Sequence, residues 1–68
     1  MIIYEPIWQT LEEKKLSTYA LISKHGLSSE TVHRLKHDKA ITLTTLNDIC
    51  KILDCPVEKI IKYVPDDI

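Results

Sequence analysis

Sixty-eight residues, 44% hydrophobic and 28% charged with a formal net charge of −1, make at most one domain, residues 1–68, of ordinary globular composition, and exclude a disordered or membrane-embedded chain. A chain this short buries only roughly 60% of the surface it exposes when unfolded, and one core at this size rarely supplies more than about 3–5 kcal/mol. A second copy packing on an apolar face is a natural support, so a homodimer is expected.

The apolar start, Met1 to Tyr4, is cut short by Glu5 and Pro6, well below the length of a signal or spanning segment, so a cytoplasmic location is expected. Pro6 at a first helical position, followed by Ile7, Trp8 and Leu11 and then Lys14 and Lys15, predicts helix 1. Ser17 is an N-cap for helix 2, about Thr18 to Lys24, with Leu21 and Ile22 inward. Gly26, the only glycine, ends that helix and marks the one place where a positive φ is expected. Ser28 caps helix 3, which carries Thr31, Val32 and Leu35 inward, and Glu30 in its first turn suits the helix dipole. Thr42 caps helix 4, with the stripe Leu46, Ile49, Cys50 and Leu53. Pro56 starts a fifth helix with Val57, Ile60, Ile61 and Val64 inward. Met1 to Tyr4 and Ile61 to Val64 also read as strands, able to pair with each other or across a dimer.

Charge is unevenly spread. Residues 16–39 hold Lys24, Arg34, Lys36 and Lys39 against Glu30 and Asp38, together with all three histidines, whereas both flanks are acidic. The same segment contains two short helices joined by a turn of about 3–4 residues with one glycine, the build of a DNA-reading helix-turn-helix, at about residues 17–37. Leu21, Leu27, Val32 and Leu35 would lock its helices at a fixed angle. Ser29, Glu30, His33, Arg34 and His37 would then form one exposed face of the second helix, and every one of them can hydrogen-bond.

At Leu21, Gly26, Leu27, Ser28, Thr31, Val32 and Leu35, and again along Thr45 to Cys55, the chain resembles the Cro/CI-type (XRE-like) helix-turn-helix regulators of bacteria and their phages. The opening Met1 to Tyr4 and the closing Tyr63 to Asp67 resemble the ends of the short single-domain members. The resemblance implies an all-α fold, a compact five-helix lambda-repressor-like domain with room for short terminal strands. It also implies sequence-specific binding of double-stranded DNA, usually as a dimer, with the second motif helix in the major groove. Carried over position by position, Ser29, Glu30, Arg34 and His33 would read bases, and Thr18, Ser28 and Lys39 would touch phosphates. The chain departs from the family in three places: Thr18 stands where Gln is frequent, Ile22 where a small Ala is common, and His37-Asp38 where Asn-Gly is frequent.

Several residues carry plainer readings beside these. Glu30 and Arg34, four apart, make a solvated ion pair in the absence of DNA. His33 and His37 have metal-ligand spacing but no evident third ligand, so no metal is expected, and no cofactor or small-molecule ligand either. Cys50 and Cys55 are too few for a disulfide framework. Cys55 at a helix start would have a lowered thiol pKa and could act as a redox switch, or else is an inert cap. Trp8 reads as a packing residue, and no catalytic constellation is visible, so the chain reads as a non-enzyme. The rival to a transcriptional regulator, probed by retention on DNA at low salt, is a protein-interaction module, an antitoxin-like or antirepressor subunit on the same scaffold.

Overall fold

Three of the four α-helices start on a side-chain cap, and the first starts on a proline. The computed structural model describes residues 1–66, so Asp67 of the closing run lies outside the described residues. In chain order the elements are β1 (Ile2–Ile3), α1 (Glu5–Glu13), α2 (Thr18–His25), α3 (Ser29–Lys36), α4 (Leu43–Leu53), a 3-10 turn (Val57–Lys59) and β2 (Lys62–Tyr63). Pro6 opens α1 at a position where its missing N–H costs nothing. Ser17, Ser28 and Thr42 each sit in extended backbone and accept a hydrogen bond from the N–H three residues on, at Ala20, Thr31 and Thr45.

One core joins all four helices. Tyr4, Ile7, Leu11, Leu21, Leu27, Val32, Leu35, Ile49, Leu53 and Ile60 are buried together, with Trp8, Leu46 and Cys50 packed half-buried around them. Thr10 is the buried polar side chain among the described residues, and its hydroxyl lies 2.7 Å from the carbonyl oxygen of Lys59 and 3.1 Å from that of Pro6. It ties α1 to the 3-10 turn. Among the described residues no helix is long and apolar enough to cross a membrane.

The fifth helix is absent. Pro56 leads instead into the 3-10 turn, in which Ile60 and Ile61 both donate to the carbonyl of Val57. Ile60 is fully buried, but Val57, expected inward, is 44% exposed. The physical reason lies in the residues that follow, because Lys62 and Tyr63 find an antiparallel partner that a continued helix would forgo. β1 pairs with β2 within the one chain, Ile2 opposite Tyr63 and Ile3 opposite Lys62, and Val64 donates to the carbonyl of Met1 at 2.8 Å. The result is a mostly helical fold with four α-helices and short terminal strands.

Gly26 has φ 76° and ends α2, but it is not the one residue with positive φ. Lys15, Asp38 and Asp54 adopt φ of 57°, 53° and 50° just past the ends of α1, α3 and α4. Each supports the same closure, in which the next residue donates back five positions: Leu16 to Leu11, Lys39 to Arg34, and Cys55 to Cys50. Glycine is the usual choice for that position, which is why the sequence concealed it.

Leu35 is 1% exposed at the centre of this core. Leu35→Ala should cost about 2–5 kcal/mol, because it leaves a cavity that its neighbours fill only in part. A denaturant titration checks it, and a midpoint equal to the parent's would mean that α3 buries another face.

Candidate nucleic-acid interface

Eight residues make α3, and only Val32 and Leu35 among them are buried. The opposite side carries Ser29, Glu30 and His33, all exposed, with Arg34 partly covered. The four residues expected to read bases therefore share one helix, three of them open to solvent. His37 follows at the helix end, and its ring lies 4.3 Å from that of His33, centroid to centroid, tilted by 45°. Among the described residues no three His, Cys, Asp or Glu side chains converge as a metal site.

Arg34 is already engaged at both ends of its fork. One guanidinium nitrogen donates to Glu30 Oε1 at 3.0 Å and the other to the carbonyl of Ala40 at 3.2 Å. The ion pair is solvent-exposed on the carboxylate side, so it contributes only about 0.3–0.5 kcal/mol and can be exchanged for another partner at little cost.

The three residues expected at phosphates are not grouped. Thr18, half-buried at the start of α2, shares a cleft with Ser29, His33 and Lys36 of α3. Ser28 is exposed, but its hydroxyl is committed to the helix, accepting from Thr31 N at 3.0 Å and lying 2.8 Å from Thr31 Oγ1. Lys39 lies past the C-terminal end of α3, exposed, in the turn before α4.

Two features escaped the sequence. Tyr19, 75% exposed, stands at the mouth of the cleft between α2 and α3. An exposed tyrosine in a second helical position carries no local pattern that would mark it. Tyr4 is buried, its amide donates to Asp38 Oδ1 at 3.0 Å, and its phenol donates to the carbonyl of Lys39 at 2.7 Å. Burial, with the Asp38 charge adding to it, raises the phenol above its ordinary value of 10.0, so it stays the donor. These contacts span more than thirty residues, beyond any periodicity.

A capped α2, a left-handed glycine turn and a capped α3 with a polar outer face are the observations that invite comparison with known proteins. A family model described as the Cro/C1-type HTH DNA-binding domain matches residues 6–66. The chain belongs to that family. Among solved structures the Cro/C1-type chain is similar to the crystal structure of transcriptional regulator VanUg, Form II, at 28% sequence identity and a TM-score of 0.86, over 96% of this chain and 87% of that one. No curated protein sequence matches it significantly.

In the Cro/C1-type chain the cysteines stand apart from this face. Both are free and half-buried. The fifth-helix dipole that would have lowered the Cys55 thiol is missing, and burial pushes that thiol up from 9.0 instead, with neighbouring Cys50 adding to the effect. This removes the basis for a redox switch there.

Ser28 can be tested as a cap. Ser28→Ala should destabilise the domain by about 0.5–2 kcal/mol, whereas Ser28→Asp should keep the cap and the melting temperature. Thermal melts of the two variants check this, and equal destabilisation by both would show that the cap is not what Ser28 supplies.

Proposed function

We propose that the chain is a transcriptional regulator, a repressor, which binds duplex DNA sequence-specifically with α3, about residues 29–37, in the major groove. The observation that carries this is the division of α3 into a buried face, Val32 and Leu35, and an exposed face on which every side chain can hydrogen-bond. Family membership and the likeness to a transcriptional regulator support it. Repression is the simplest outcome for so small a domain, which would act by covering a promoter and excluding the proteins that start transcription there.

Ser29, Glu30, His33 and Arg34 are the base readers in this proposal. Arg34 exchanges its weak pair with Glu30 for guanine O6 and N7, and the freed Glu30 carboxylate can accept from cytosine N4. Thr18, Ser28 and Lys39 contact phosphates, which fix register without carrying sequence information. The net charge of −1 is no obstacle, because residues 16–39 are locally basic and the acidic residues lie in the flanks.

The active species in this proposal is a homodimer. Of Ile2, Ile3, Ile61 and Val64, expected to face a partner, the last three are part-covered within the chain, while Ile2 (46%), with Met1 and Tyr63 (65%), leaves apolar surface on the paired ends. Two-fold-related half-sites then lie about 34 Å apart. Sedimentation with and without operator DNA should give a dimer, and a monomer in both would remove this part.

The test of readout compares two variants. Arg34→Ala should cost about 1–3 kcal/mol on the preferred site, relax preference at one base and barely change non-specific affinity. Lys39→Ala should weaken all sequences alike and lower the salt slope by about one charge. Titrations against operator, single-base variants and random duplex at two salt concentrations check both. Equal loss on every sequence would make Arg34 a phosphate contact, and no loss on any would favour the protein-interaction module.

A further inference from the structure

We propose that Tyr4 and Asp38 are positioning residues for DNA binding, clamping the turn after α3 so that Lys39 is held where a phosphate meets it. This rests on the DNA-binding reading above and names what holds one of its contacts in place. Both backbone groups of Lys39 are engaged: its N–H donates to the carbonyl of Arg34 at 2.9 Å, and its carbonyl accepts from the Tyr4 phenol at 2.7 Å. The residue before it holds the Tyr4 amide through Asp38 Oδ1 at 3.0 Å, and the residue after it, Ala40, accepts from Arg34. Residues 38 and 39 are tied to Tyr4, and these ties stay when the Arg34 fork leaves Ala40 for a base.

Packing does not explain this tethering. Residues 36–40 are all exposed, so the turn contributes little to the core, whereas Tyr4, its anchor, is only 4% exposed. Asp38 also holds a left-handed conformation, with φ 53°, that glycine would adopt without steric cost. What a glycine lacks is the carboxylate that accepts the Tyr4 amide. The same bond turns the Asp38 charge toward the N-terminal segment, although it lies next to a residue placed at a phosphate. The clamp therefore fixes Lys39 against the core and engages the one acidic group beside it.

The experiment is a double-mutant cycle read by DNA binding. Parent, Tyr4→Phe, Lys39→Ala and the double variant are titrated against random-sequence duplex and against a duplex selected by the parent, at two salt concentrations and below every variant's melting transition. Tyr4→Phe keeps the buried ring and deletes the bond to Lys39. It should lower affinity several-fold on both duplexes and reduce the salt slope, as Lys39→Ala does by roughly 0.9 for one lost phosphate contact. In the Lys39→Ala background it should have no further effect. Asp38→Gly, which suits the backbone but lacks the acceptor, should show the same loss, and Asp38→Asn, which keeps a side-chain oxygen, should bind at least as well as the parent.

Equal losses from Tyr4→Phe with and without Lys39 would overturn the clamp, because a merely structural tyrosine acts independently of that side chain. Lys39→Ala binding like the parent while Arg34→Ala loses its site would overturn it and leave the DNA-binding reading intact. A parent that binds neither duplex at low salt would remove both.

Discussion

Each of the four helices is followed within two residues by one with positive φ, and the orientation of everything else follows from those four reversals. A helix carried one residue further would swing its successor out of the core, so the left-handed residue at Lys15, Gly26, Asp38 or Asp54 sets the direction in which the chain re-enters. Only one of the four is glycine. The other three accept a steric cost of order 1 kcal/mol, which the closing hydrogen bonds from Leu16, Lys39 and Cys55 and the burial of the next element offset. Spacing between helices is thereby set by backbone bonds before side chains pack.

Helix starts and helix ends differed in how far the sequence revealed them, for a physical reason. Starts depend on a side chain and an N–H three residues away, and Ser17, Ser28, Thr42 and Pro6 announce them locally. The ends were legible only at Gly26, because lysine and aspartate do not advertise a left-handed conformation. The last segment misled for another reason: Val57, Ile60, Ile61 and Val64 match a helical spacing, yet the chain makes only a 3-10 turn at Val57–Lys59 and then pairs Lys62 and Tyr63 with β1. The exposed face of α3 was readable from its period, since Ser29, Glu30 and His33 stand out where expected. The Tyr4 contacts were not, because tertiary contacts across more than thirty residues leave no periodic trace.

A short helix with two buried side chains is a poor anchor on its own. Val32 and Leu35 fix the depth of α3 in the core, but two contacts one turn apart leave rotation about their line lightly restrained. Its two ends supply the rest. Ser28 pins the first turn through its bond to Thr31 N, and at the other end Asp38, Lys39 and Ala40 are bonded to Tyr4 and Arg34. The polar face is thus oriented by contacts at its margins, and its own side chains stay free of the core.

Electrostatics follow the same division of labour. A domain that must approach a polyanion while carrying a net charge of −1 has to keep its carboxylates off the approaching face or engage them there. Most lie in the flanks, as with Glu5, Glu12 and Glu13 on α1, and the two within residues 16–39 are both occupied: Glu30 by Arg34 and Asp38 by the Tyr4 amide. These two bonds differ in kind. The Glu30 pair is side chain to side chain, exposed and weak, which is what the proposed exchange for a base edge requires. The Asp38 bond is to the backbone amide of Tyr4, whose ring is buried in the core. One carboxylate is held by a side chain and the other by the backbone, so under the proposed function neither stands as a free negative charge on the face meant for DNA.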